Sequence, residues 1–136
     1  MENIAFDAPG EIVLLMGNEA VARGAIEAGI GVATAYPGSP SSEVLGTIAE
    51  VAKKVNIHAE WSVNEKIATE VAAGASFAGI RSISVMKQNG VNVAADFLVN
   101  LGMTGIGTGG MVIFVSDDPS SKSSNNEEDS RPITKW

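Results

Sequence analysis

Glu65 stands directly after Asn64 in the stretch Glu60-Trp61-Ser62-Val63-Asn64-Glu65-Lys66, where one periodicity hands over to another. Upstream, Ile57-His58-Ala59-Glu60-Trp61 alternates apolar with polar; downstream, Ile67, Val71, Ala72, Ala75 and Ala78 recur at helical spacing. Asn64 is therefore placed to cap a helix, and the Glu65 carboxylate falls in its first turn. A carboxylate there is either a functional acid or an ordinary first-turn acid that complements the helix dipole, an effect of about 0.3–1 kcal/mol. The helix that follows carries a face of Ala, Gly and Ser, small enough to let another backbone or a flat ligand come close.

Four more stretches gather polar chemistry. Tyr36-Pro37-Gly38-Ser39-Pro40-Ser41-Ser42-Glu43 is a stiff loop, with Ser41 or Ser42 able to cap the helix carrying Val44, Leu45, Ile48 and Val51. A rigid strand-to-helix turn explains it as well as a ligand loop does. Lys87-Gln88-Asn89-Gly90-Val91-Asn92 collects four hydrogen-bonding side chains ahead of a helix with Val93, Phe97 and Leu101 on one face. Ser116 to Arg131 is polar throughout and reads by composition as a tail or a functional loop, with 117–131 expected to be mobile. Gly17-Asn18 could hold an anion at a helix start, but a single Gly is a weak phosphate signal and a plain turn explains it. His58, inside an alternating run, reads as a surface histidine.

These loops need elements to position them. Five short apolar runs, Ile12–Met16, Val32–Ala35, Ile57–Trp61, Ser82–Met86 and Met111–Val115, alternate with helical patterns. The first of those helices runs from about Asn18 to Ala28 and stops at Gly29. That rhythm predicts an α/β three-layer sandwich, a mostly parallel sheet with helices on both faces, as one domain over residues 1–136. Ligands of such sheets bind at the carboxyl ends of the strands. The chain ends at Trp136 with no closing helix, which reads as a C-terminal truncation.

Composition narrows the function classes. Of 136 residues 45% are hydrophobic, and 16 acidic against 9 basic residues give a net charge of −7 with no Lys/Arg cluster, so nucleic acid is not an expected partner. No basic, apolar leader and no run long enough to span a membrane precede the domain, so a cytoplasmic protein with no membrane partner is expected. With no Cys and one His, the chain is expected to hold no metal itself.

Leu15-Met16-Gly17-Asn18-Glu19-Ala20, Ala35-Tyr36-Pro37-Gly38-Ser39-Pro40-Ser41-Ser42-Glu43, the Glu60–Lys66 string, Val71-Ala72-Ala73-Gly74-Ala75-Ser76-Phe77-Ala78-Gly79 and Asn92-Val93-Ala94-Ala95-Asp96 together resemble one family. It is the N-terminal part of the indolepyruvate ferredoxin oxidoreductase large subunit, within the thiamine-diphosphate-dependent 2-oxoacid:ferredoxin oxidoreductases. The likeness runs in order from about Leu14 to Arg131. It implies the pyrimidine-binding domain of the thiamine-diphosphate-binding fold, with thiamine diphosphate shared with a diphosphate-binding domain or subunit outside this chain.

By the resemblance, Glu65 is the glutamate that hydrogen-bonds N1′ of the aminopyrimidine, while Tyr36, Pro37, Gly38, Lys87, Gln88 and Asn89 approach the cofactor. Ser39 and Arg131 approach the substrate carboxylate, a task that suits the fork of a guanidinium. The implied reaction is decarboxylation of a 2-oxo acid to an acyl-CoA, with coenzyme A as co-substrate and ferredoxin as the indirect electron partner, in an oligomer. Mg2+ and iron–sulfur clusters belong to partner segments, since this chain has no Cys and no Gly-Asp-Gly motif with a following Asn. Gln88 and Asn89 replace the His and apolar residue of the indolepyruvate pattern, which leaves pyruvate or another 2-oxo acid open as substrate. A non-catalytic binding or assembly module is the alternative from another class.

Overall fold

The computed structural model describes residues 2–135. After a short 3-10 turn at Glu2–Ala5, its elements are α1 (Gly17–Glu27), β1 (Val32–Ala35), α2 (Ser42–Val55), β2 (His58–Trp61), α3 (Glu65–Phe77), β3 (Ser82–Lys87), α4 (Gln88–Thr104) and β4 (Met111–Ser116), followed by a 3-10 turn at Ile133–Lys135. The four strands form one parallel sheet in the order β2-β1-β3-β4. The expected α/β architecture is present, and four of the five apolar runs are its strands.

Strand alternation decides what each face of the sheet holds. Ala33, Ala35, Ile83 and Val85 point to one side and join Ala22, Val44, Leu45 and Ile48 of α1 and α2 in the larger core cluster. Each fully buried Leu or Ile there contributes roughly 1.5–3 kcal/mol. Thr34, Ser82 and Ser84 point to the other side, where α3 lies: Thr34 Oγ1 donates to the Ala68 carbonyl at 2.7 Å, Ser82 Oγ to the Ala72 carbonyl at 2.6 Å, and Ser84 meets Thr69 at 3.4 Å. Such short hydroxyls reach a helix backbone only when the helix sits close, which explains why Ala68, Ala72, Ala73 and Ser76 are small and buried. Of the two neighbours such a small face allows, another backbone or a flat ligand, it is the sheet of this chain that lies against it.

Three expectations need correction. Ile12–Met16 is not a strand: it forms no ladder with the sheet, and Ile12 and Leu14 are 98% and 100% exposed. An apolar run signals burial, but here no strand stands beside it to pair its backbone. On α4 Leu101 is buried as expected, but Val93 is exposed; Val91 and Ala94 are buried instead, packed with Met86 of β3 and Ile113 and Val115 of β4. Ser41 occupies the N-cap of α2 without a side-chain cap bond; both Ser41 and Ser42 hydroxyls turn back to the Gly38 carbonyl, at 2.9 and 3.1 Å. Asn64 does cap α3, its Oδ1 accepting from the Ile67 N–H at 2.9 Å, and Gly29 with φ 73° closes α1 as expected.

Candidate functional site at the carboxyl edge of the sheet

The strand order reverses direction between β1 and β3: from β1 the chain crosses by α2 outward to β2, and from β3 by α4 outward to β4 on the other side. Neighbouring strands whose connections diverge leave a crevice at their carboxyl ends, the usual ligand position in open α/β sheets. The loops flanking it are Tyr36–Ser41 after β1 and the Lys87–Gln88–Asn89 turn into α4.

They touch. A Cβ built on Gly38 would lie 3.1 Å from both Cγ and Cδ of Lys87, so the Lys87 stem runs against the Gly38 backbone. The Ser39–Pro40 peptide in the same loop is cis. Tyr36 is exposed at this edge, as are Trp61 at the end of β2 and Val63 after it.

Glu65 opens α3 beside the start of α4. The residue is only 7% exposed, yet its carboxylate accepts no hydrogen bond from any described residue. Its backbone is fixed by the Asn64 cap and by Thr69 Oγ1, which donates to the Glu65 carbonyl at 2.7 Å. A Cβ on Gly90 would fall 2.6 Å from Glu65 Cγ and Oε1, closer than any side chain tolerates. Gly90 is therefore a requirement of the Glu65 seat. The sequence pattern around Lys87–Asn92 assigns Gly90 no role, although a Gly in the first turn of a helix is a usable signal of close approach. One residue earlier, the Asn89 Oδ1 is buried without a hydrogen-bond partner. A recessed carboxylate and a buried amide oxygen, both lacking donors, suit a ligand that brings N–H groups.

The segment after β4 folds back over this edge. The Asp118 carboxylate accepts the backbone N–H of Lys122, Ser123 and Ser124 at 3.1, 2.7 and 2.8 Å, and these bonds, that of Ser123 foremost, hold it below the usual carboxylate range. Asp117 accepts the Ser130 N–H at 3.0 Å. Ser123 Oγ then meets Ser39 Oγ at 3.3 Å. Ser39 is thus joined to the loop, whereas no hydrogen bond links it to Arg131. The Arg131 side chain is 86% exposed and grips Asp129 with two bonds of 2.8 and 2.6 Å, which lower the Asp129 carboxyl to about 2.

An open cleft of about 800 Å³ lies beside Ser39, between the start of α1 and the end of β4. Glu65, Lys87 and Asn89 do not line it. Among the described residues no group of three or more His, Cys, Asp or Glu could hold a metal ion, and no helix is long and apolar enough to cross a membrane.

Comparison with known proteins shows the family of the chain. The family model described as "Pyruvate flavodoxin/ferredoxin oxidoreductase, thiamine diP-bdg" matches residues 23–114. The chain is 51% identical over 98% of its length to the indolepyruvate oxidoreductase subunit IorA of Pyrococcus horikoshii, and 54% identical over 98% to that of Thermococcus kodakarensis. Among solved structures, a 2-oxoglutarate:ferredoxin oxidoreductase from Magnetococcus marinus, with 2-oxoglutarate, coenzyme A and succinyl-CoA bound, superposes with a TM-score of 0.71 at 25% identity over 83% of this chain. The chain spans about one fifth of the length of each of these relatives, 20% in all three. Glu65, its Asn64 cap, the Gly38–Lys87 contact and Gly90 all lie inside the matched residues, and with that match the chain belongs to the thiamine-diphosphate-binding pyruvate flavodoxin/ferredoxin oxidoreductase family.

Proposed function

We propose that this chain supplies the pyrimidine half of a thiamine-diphosphate site in an enzyme that oxidatively decarboxylates a 2-oxo acid to an acyl-CoA and passes the electrons to ferredoxin. The observation that carries the reading is the Glu65 carboxylate: recessed, fixed at a helix start, and without a donor from any described residue. Bound thiamine diphosphate supplies the carbon nucleophile and electron sink that a 2-oxo acid requires. Glu65 exchanges a proton with N1′ of its aminopyrimidine. Tyr36, Pro37 and Gly38 on one side, and Lys87, Gln88 and Asn89 on the other, bracket the crevice between β1 and β3 and orient the cofactor there.

Ser39 and Arg131 receive the substrate carboxylate. Arg131 is held by Asp129, so engaging substrate means exchanging one carboxylate for another, and this suits a loop 117–131 that moves between free and docked positions. The substrate is an arylpyruvate of the indolepyruvate type, the reading supported by about half-identical relatives that carry that name. Mg2+, the diphosphate ligands and the iron–sulfur clusters come from partner segments, which cover the exposed Tyr36, Trp61 and Val63 in a cytoplasmic, oligomeric assembly.

Calorimetric titration with thiamine diphosphate and Mg2+ tests this reading. The assembled protein binds the cofactor and reduces ferredoxin in a manner dependent on a 2-oxo acid, while the 136-residue chain alone binds weakly because it lacks the diphosphate ligands. Micromolar affinity of the chain by itself, or no binding by the assembly, contradicts it.

A further inference from the structure

Glu128 is the most deeply buried acid among the described residues. It is 0% exposed, neither carboxylate oxygen has a hydrogen-bond partner, and the nearest cation is the Lys87 ammonium, 3.7 Å from Oε1. Taking a carboxylate out of water is expensive unless a charge or donors compensate it. Here the compensation comes from one side chain on a different element. Lys87 closes β3, its stem lies against Gly38 of the loop after β1, and its ammonium ends at the loop after β4.

The loop is tied to itself close to Glu128. The Glu128 N–H donates to the Asp118 carbonyl at 3.3 Å, and Asp117 takes the Ser130 N–H. Its contact with the β1 loop is a pair of hydroxyl bonds at the weak end of the range: Ser123 Oγ to Ser39 Oγ at 3.3 Å and Ser124 Oγ to the Ser39 carbonyl at 3.5 Å. An ion pair, Lys87–Glu128, joins this loop to the end of β3. Such a pair is worth little as net stability, yet breaking it leaves a buried charge uncompensated, so it acts on which arrangement forms more than on how strongly the domain folds.

We propose that Glu128 is a positioning residue that latches the 117–131 loop to Lys87, so that docking of the loop and placement of the Lys87 ammonium at the crevice are one event. Docking carries Ser123 onto Ser39 and brings the Asp129–Arg131 end of the loop to the same edge. The step from there to substrate binding rests on the function proposed above; the latch itself does not.

Two variants test it in the assembled enzyme, Glu128→Gln, which keeps the shape and removes the charge, and Lys87→Met. Hydrogen–deuterium exchange of the amides of 122–130 is measured without ligand, and KM and kcat for the 2-oxo acid are measured separately. Either variant speeds exchange across the loop by roughly tenfold, and the double variant adds little to either single one, as for a directly coupled pair. Glu128→Gln raises KM several-fold while kcat changes little. If Glu128→Gln does not fold, exchange in Lys87→Met decides alone. Unchanged loop exchange, or additive effects in the double variant, overturns the latch, and so does a lowered Tm with KM unaltered. Faster loop exchange in a protein that binds no thiamine diphosphate would leave the latch standing and remove the proposed function.

Discussion

Gly90 and Glu65 share a space that has no room for one more carbon: a methyl on Gly90 would sit 2.6 Å from Glu65 Oε1. The start of α4 therefore fixes where the recessed carboxylate of α3 points. Gly90→Ala gains helix propensity of up to about 1 kcal/mol. It also pushes the carboxylate aside. A thermal melt is expected to change little, while thiamine diphosphate affinity of the assembled protein falls by on the order of tenfold or more, as misplacement of a site group typically costs. Unaltered affinity would show that the position of Glu65 is immaterial.

Thr34 spends its hydroxyl on the Ala68 carbonyl inside the sheet–helix contact. Thr34→Val keeps the branched shape and removes the donor. Urea denaturation is expected to show a loss of about 1 kcal/mol, the usual net worth of such a bond. A stability gain would mean that α3 is held by packing alone.

Asp129 gives a pH signature. Its carboxyl, lowered from 3.8 to about 2 by Arg131, favours the folded loop fully above pH 4, and that contribution is lost as pH falls through about 2. Nothing in this pair titrates near neutrality. Carboxyl NMR is expected to report the low value for Asp129 and its return to the ordinary range in Arg131→Ala. An ordinary value in the parent protein would show that the pair does not persist in solution.

Arg131→Ala also bears on substrate. The side chain is exposed, so the Tm is expected to stay nearly constant while KM for the 2-oxo acid rises. An unaltered KM removes Arg131 from the site.

Much of the fold was legible because periodicity and packing agree. Val32–Ala35, Ser82–Met86 and Met111–Val115 are apolar runs with neighbours on both faces or an adjoining strand, and Asn64 is a cap residue beside a helical pattern. Ile12–Met16 has the same composition and is not a strand, since an apolar run reports a need for burial and cannot say which segment supplies it. The contacts of the site were less legible. Gly90 against Glu65, Lys87 across Gly38 and Glu128 beneath Lys87 each join residues more than twenty positions apart, and no local pattern encodes such pairs. Polar composition marks Ser116–Arg131 as a loop; it does not show that Asp118 gathers three of its amides.

Proton exchange at the cofactor tests the central assignment most directly. In the assembled enzyme, Glu65→Gln keeps the Asn64 cap and is expected to leave the thermal melt within about 1 kcal/mol of the parent. Gln cannot trade a proton with N1′, so hydrogen–deuterium exchange at C2 of bound thiamine diphosphate, followed by quenched-flow NMR, is expected to slow by roughly 10²–10⁴-fold. Near-parental exchange in Glu65→Gln would reduce Glu65 to a first-turn acid that complements a helix dipole, and the catalytic assignment would fall with it.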